Sequence, residues 1–445
     1  MMRKWIVTGA GLLWIALGMS TGSGRLSAAV QAAQDQSKPG YSLAEYNQYQ
    51  AADKEQNPQQ KIKLLDDFVK AYPNSTLMPY IYRDYYTTYM ALKNYAQAMD
   101  AADKMIALGD KIDTAGRLEA YYTRAQAFYY GMGSPDMQKP DVLTKVRDNA
   151  TAGLKTLDDL KKPDNVDQKQ FDQQKKGVQV LFNAVAALSS TSLKDYPTAV
   201  NYYKTLLSID PTDAVSHYRL GIVYLQMMPQ MGTDGFWELA RAINLKIPND
   251  SKVHDYLKNQ IIKYQQASCD KLVDDQVNEL LTLAAGSNDR PATLNVPSTA
   301  DLQKARDDTA NFIPNLMAGG DAGKVMWLAS CGLEYPDVGV RIMEPPAVDG
   351  DNVTLKVFRG NTPEEIEAAT MSNMEVKIEG QPEAKRLEKD AVVRFTGTLV
   401  GYTQNPFMLS WDKAKINTED LPEEKGPAKK GPAKKAPAKK APAGN

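Results

Sequence analysis

Two stretches in the middle of the chain fall on a common 34-residue spacing. The first reads Asp195-Tyr196-Pro197-Thr198-Ala199-Val200-Asn201-Tyr202-Tyr203 and runs on to Asp210-Pro211. The second opens at His217 and reads Leu220-Gly221-Ile222-Val223-Tyr224. Counted from 1 to 34, Ala199, Tyr203 and Pro211 take positions 20, 24 and 32 of one period. Leu220, Gly221 and Tyr224 take positions 7, 8 and 11 of the next. A period this short constrains the fold. It holds one pair of helices, which cannot bury its apolar side alone, so neighbouring pairs must stack.

This pattern resembles the tetratricopeptide repeat (TPR) family. The resemblance covers roughly residues 42–250, and it implies a binding scaffold rather than an enzyme. Earlier hairpins fit the same spacing. Ser42–Asp53 pairs with the unit from Pro58 to Pro73, where Ile62, Leu65, Phe68 and Val69 fall at helical spacing. Met78–Ala91 pairs with Asn94–Leu108. With Ala98 at position 20, Tyr86 takes position 8, a place normally held by a small residue. Ala115–Tyr130 pairs with Pro140–Leu160, and Pro163–Gln174 reads as a polar spacer. The fifth hairpin carries an insertion at Pro229–Gly235, and Val253–Gln266 with Lys271–Ala285 read as capping helices.

Beyond Asn288–Pro297 the character changes. A short helix is expected at Thr299–Phe312, capped by Thr299. After Gly319-Gly320, read as a linker, strands are expected at Val325–Ala329, Val338–Met343, Val353–Phe358, Met374–Ile378, Val392–Tyr402 and Phe407–Ile416. Thr362-Pro363-Glu364-Glu365 reads as a helix start. This order looks like an oligonucleotide/oligosaccharide-binding (OB) barrel. The expected class is therefore α+β and multidomain. An α-solenoid of TPR-type hairpins occupies 42–286, a linker 287–324 and a small β-barrel-like domain 325–420. A disordered basic tail fills 421–445.

Both ends carry signals. Arg3 and Lys4 precede an apolar run from Trp5 to Met19, and Ser27-Ala28-Ala29 and Val30-Gln31-Ala32 are small-residue cleavage candidates. Residues 1–32 thus read as an export signal, too short to span a bilayer, and no cysteine near the cleavage region provides a lipid anchor. The expected location is periplasmic or secreted. From Lys425 the chain repeats Gly/Ala-Pro-Ala-Lys-Lys, with seven lysines and no acid. The net charge of −1 hides this division: without those lysines it is −8, and without Arg3, Lys4 and Arg25 it is −11. Two readings of the tail stand. It contacts an anionic surface, or it solubilises or folds onto its own acidic body.

The chain has two cysteines, Cys269 and Cys331. They pair, contributing roughly 3–4 kcal/mol by loop closure, or they are separate buried thiols; spacing does not decide. Two histidines, His217 and His254, exclude histidine-rich metal sites and most Ser-His or Cys-His catalysis. No phosphate loop or calcium loop is present, so no catalytic residue, metal or small-molecule cofactor is assigned.

The resemblance supplies candidate binding residues. Its inner groove is lined by positions 2, 5, 9 and 12 of each first helix. These include Tyr80, Arg83 and Thr87, then Tyr122, Gln126 and Tyr129, then Tyr218 and Ile222. Aromatic and arginine side chains anchor interfaces; the competing reading is that many of these tyrosines pack between helices. The Lys and Asn with which some TPRs clamp a peptide carboxylate, at positions 5 and 9, are missing. The expected function is an exported, non-enzymatic scaffold for a protein or peptide partner in the bacterial envelope. Two alternatives remain. In one, the β domain and lysine tail bind an anionic polymer, glycan or nucleic acid. The other is a carboxylate-based hydrolase.

Overall fold

A computed structural model describes residues 40–227 and 231–422; the expected export signal, the lysine-rich C-terminal segment and part of the Pro229–Gly235 insertion lie outside the described residues. Among the described residues the chain forms sixteen α-helices and six β-strands. It divides into two compact units. One comprises residues up to Ile261 with Asp275–Val296, the other Ile262–Asp274 with everything from Pro297 onward.

The first unit is helical. In chain order it contains α1 (Leu43–Lys54), α2 (Pro58–Ala71), α3 (Met78–Ala91), α4 (Tyr95–Ile106), α5 (Thr114–Gly131), α6 (Pro140–Asp158), α7 (Gln168–Ser192), α8 (Tyr196–Ile209), α9 (Ala214–Gln226) and α10 (Gly232–Asn244). Most of α11 (Asp250–Gln265) and of α12 (Asp270–Gly286) follow. Acidic caps start many of these helices: Asp113, Asp167, Asp195 and Asp213 each accept a first-turn backbone N–H. Each helix packs mainly on its neighbours in sequence, with weaker contacts between α3 and α5 and between α5 and α7.

One turn recurs. Leu92-Lys93-Asn94-Tyr95 and Leu193-Lys194-Asp195-Tyr196 both place the lysine in the left-handed region, at φ 58° and 60°. The Asn94 N–H donates to the Tyr89 carbonyl at 2.8 Å, and the Asp195 N–H to the Ser190 carbonyl at 2.9 Å. The same backbone closure therefore joins α3 to α4 and α7 to α8. The residues of the 34-residue pattern also meet: Ala199, Tyr203, Leu220 and Tyr224 share one buried cluster with Ala184 and Ala187.

Gly221 explains how closely α9 and α10 approach. A Cβ on it would stand 2.9 Å from the Gly235 carbonyl oxygen, and one on Gly235 would stand 3.0 Å from the Gly221 oxygen. Past α12, buried Arg241 of α10 donates through Nη1 to the Ala284 and Ser287 carbonyls and through Nη2 to Asn288 Oδ1. A cation there suits the negative end of α12.

In the second unit three short helices precede the strands: α13 (Thr299–Asp307), α14 (Phe312–Ala318) and α15 (Gly320–Ser330). The α13 cap is Ser298, which forms a capping box with Asp301, rather than Thr299. Val325–Ala329, expected as a strand, lies inside α15, and Gly320 opens that helix instead of linking to a strand. Gly319 makes this possible: at φ 70° it turns the chain sharply between α14 and α15. Met326 then joins the buried core, while Leu328 and Ala329 pack with Leu302 of α13.

The strands are β1 (Glu334–Ile342), β2 (Ala347–Asp349), β3 (Asn352–Phe358), β4 (Met374–Ile378), β5 (Val392–Gln404) and β6 (Phe407–Ile416). The short α16 (Pro363–Ala368), capped by Thr362 as expected, lies between β3 and β4. β1 pairs with β5, β5 with β6, and β4 with β3, all antiparallel; β6 and β4 are parallel. β3 then returns to β1 through Arg341↔Phe358 and Ile342↔Val357. Alternate residues are buried, such as Val338, Val340 and Ile342 on β1 and Val353, Leu355 and Val357 on β3. On β6 a register shift near Lys413, at φ 53°, resets the alternation, so Ala414 and Ile416 face inward after Leu409 and Trp411.

Gly221→Ala should destabilise the helical unit by about 1–3 kcal/mol through forced separation of α9 and α10. Gly177→Ala on α7, where a Cβ meets nothing within 4 Å, should stabilise by about 0.5–1 kcal/mol. Urea unfolding followed by helical circular dichroism measures both.

Candidate functional site

The candidate residues at the start of the helical unit form a connected group. Arg83 on α3 donates from Nε to Glu119 Oε1 at 2.9 Å and from Nη2 to Glu119 Oε2 at 2.6 Å. Glu119 lies on α5 and is only 3% exposed. The Tyr86 hydroxyl donates to the same carboxylate. Burial first, and then the Glu119 charge, hold the Tyr86 phenol well above its ordinary range, so it remains a donor. The residue that breaks the repeat pattern at position 8 thus helps to satisfy a buried acid.

Tyr80 stands beside this pair, 41% exposed. The Arg83 guanidinium lies 5.8 Å from its ring centroid, and the Tyr49 ring of α1 lies 6.0 Å from it. On the same α1, Tyr46 stacks on Tyr41 at 5.9 Å and its hydroxyl accepts from the Gln50 amide at 2.8 Å. Thr87 spends its hydroxyl on the Arg83 and Asp84 carbonyls of its own helix.

The later candidates divide. Tyr122 does not line an open face. It is 6% exposed and packs edge-on against Phe182 of α7, because α5 is covered on nearly every side. Gln126 and Tyr129 are half-buried, and Tyr129 meets Tyr130 at 5.8 Å. Tyr218 and Ile222 are half-buried on α9. Tyr218 raises the phenol pKa of Tyr256 on α11, second to burial, which places the two rings near one another. The structure therefore brings Tyr80 and Arg83 together and keeps Tyr218 and Ile222 as a separate group. His217 is buried, with Nδ1 2.5 Å from Glu238 and Nε2 3.0 Å from the Pro211 carbonyl.

Sequence reading missed Asp84, because a single Asp on α3 gives no sign of depth. One carboxylate oxygen lies 3.7 Å from Lys61, while the other is buried without a hydrogen-bond partner. Burial pushes its pKa up to about 6; Lys61 opposes this and Asp53 adds to it.

In the second unit Cys269 and Cys331 stand at disulfide distance, with sulfurs 1.94 Å and Cα atoms 5.9 Å apart. They tie the joint between α11 and α12 to the end of α15. Among the described residues no helix is long and apolar enough to cross a membrane, and no group of three or more His, Cys, Asp or Glu is placed to hold a metal.

Asp84 makes a pH prediction. Its folded pKa lies above the ordinary 3.8, so the folded state favours the protonated acid. The cost of ionising it is absent below about pH 4, grows as pH rises through about 6, and reaches about 3 kcal/mol at most. Asp84→Asn should therefore gain stability relative to the parent as pH rises from 4.5 to 7. Urea midpoints at the two pH values give the comparison.

No protein-family model matches the chain, and no curated protein matches it.

Proposed function

We propose that this protein is an exported, non-enzymatic scaffold whose helical unit stacks TPR-type hairpins into a groove for a protein or peptide partner. The observation that carries this reading is the Arg83–Glu119 pair. It bridges α3 and α5, the first helices of two successive hairpins, and so favours first helices lying side by side along one surface. The recurring Leu-Lys-Asn/Asp-Tyr turn and the Gly221–Gly235 approach support the repeat reading independently. The disulfide-distance cysteines and the N-terminal signal support an oxidising compartment outside the cytoplasm.

A second reading attaches to the strand unit. Five strands that pair in a ring, with β6 and β4 as the parallel pair, favour an OB-like barrel. Such a barrel and the tail lysines would together hold an anionic glycan or nucleic acid. Deleting residues 425–445 tests this reading. Loss of salt-dependent polymer binding supports it, and unchanged binding with unchanged salt dependence removes it.

Photo-crosslinking tests the leading reading. Benzoylphenylalanine replacing Tyr80 or Tyr218 should give protein adducts in envelope extracts. The same group replacing exposed Lys63 on α2 should give none. Equal adducts at all three positions, or retention of a glycan or nucleic acid alone, would contradict it.

A further inference from the structure

Arg124 on α5 is buried almost completely, its side chain 3% exposed, yet it is poorly supplied with acceptors. A guanidinium carries five N–H donors. Arg83 spends two nitrogens on Glu119, and Arg241 finds three acceptors at the end of α12. Arg124 makes a single hydrogen bond among the described residues, from Nε to Asp103 Oδ1 of α4 at 2.5 Å, and its Nη1 is buried without a partner. The same carboxylate draws two donors from α6: Lys145 Nζ stands 2.8 Å from Oδ2, and Asn149 Nδ2 stands 3.3 Å from Oδ1. Two cations thus share one acid. The neighbouring acids are engaged elsewhere: Asp100 with Lys104, Asp148 with Arg147, and Asp141 beside Lys139. The Lys145 side chain is 57% exposed, so the cluster opens to solvent along α6. Lys145 and Asn149, one turn apart, face α4, whereas Arg147 and Thr151 turn the other way, to Asp195 and Tyr202. Arg124 lies five residues beyond Glu119, about 140° around α5, which sets this cluster apart from Tyr80 and Arg83.

We infer that Arg124 and Lys145 form a binding site for a carboxylate, between α4, α5 and α6 and independent of the groove reading. Charge matching selects the ligand. The two cations and Asp103 leave one positive charge. A monoanion cancels it, whereas a dianion leaves one negative charge beside the Asp103 carboxylate, in surroundings that screen charge less than water does. Geometry agrees. The two oxygens of a carboxylate match the planar fork of a guanidinium, and Lys145 adds a further charge-assisted donor from the solvent side. Asp103 stays in place and orients Arg124 through Nε, which leaves the two terminal nitrogens for the ligand. The long Lys145 side chain moves with the ligand and admits it to the guanidinium.

The test uses the full chain, isotope-labelled for NMR. Sodium acetate is titrated against sodium chloride at matched ionic strength, and the Asn149 side-chain amide and Arg124 Nε–H signals are followed. Acetate should shift both saturably, and chloride should not. Lys145→Ala should weaken acetate about tenfold through the loss of one charge-assisted hydrogen bond, and Lys145→Arg should restore it to within about threefold. Arg124→Lys should abolish saturation. Circular dichroism checks its folding, and the two Lys145 variants decide the matter if it does not fold. A capped Gly-Glu-Gly peptide separates two sources of a carboxylate. Tighter binding than acetate marks a protein side chain, equal or weaker binding marks a free small acid, and either supports the site. Sulfate that binds more tightly than acetate would overturn the assignment of a carboxylate. No saturable shift with acetate or peptide, or unchanged affinity in Lys145→Ala, would overturn the site itself.

Discussion

The carboxylate of Glu119 sits almost wholly out of water, and the first helical unit is arranged to keep it satisfied. Two nitrogens of Arg83 and the hydroxyl of Tyr86 converge on it from α3. Removing one partner of such a pair leaves an uncompensated buried charge, which typically costs about 3–5 kcal/mol. The network therefore fixes the sliding position of α5 against α3, which apolar packing alone leaves loosely specified. It also decides the chemistry of the surface beside it. Arg83 would otherwise be the obvious anchor for an acidic partner, but it is already committed.

Each unit is held in its own way. The helical one depends on contacts between sequence neighbours: caps, recurring left-handed turns and close approaches such as Gly221 to Gly235. Each helix packs mainly on the one before it and the one after it. The strand unit depends on distant pairings. β1 must find β5 some fifty residues later, and β4 pairs directly and in parallel with β6, although β5 separates them in the sequence. The Cys269–Cys331 link closes a 62-residue loop, and a constraint of that length restricts the unfolded chain by roughly 3–4 kcal/mol.

Much of this was legible from residues alone. Strands β4 and β6 fall on the expected Met374–Ile378 and Phe407–Ile416. The helical hairpins follow from spacing and caps. The errors have physical sources. Val325–Ala329 is a short apolar run, for which periodicity cannot separate strand from helix, and the Gly319 backbone decided it. β2 has three residues, all exposed, and no apolar face to announce it. In the candidate site, spacing named Tyr80, Arg83 and Tyr122 alike, since a repeat position does not reveal that Tyr80 is exposed beside Arg83 while Tyr122 is buried against Phe182. Tyr86 looked like a defect in the pattern. Its role depends on an acid 33 residues away, which no local rule connects to it.

Arg83 and Glu119 hold α3 and α5 side by side and neutralise each other. A double-mutant cycle on urea unfolding, with Arg83→Met, Glu119→Gln and the pair, tests it most directly. The expected coupling energy is about 2–3 kcal/mol, the pair costing far less than the sum of the singles. Additivity within about 0.5 kcal/mol would mean that the two side chains do not meet, and would contradict it.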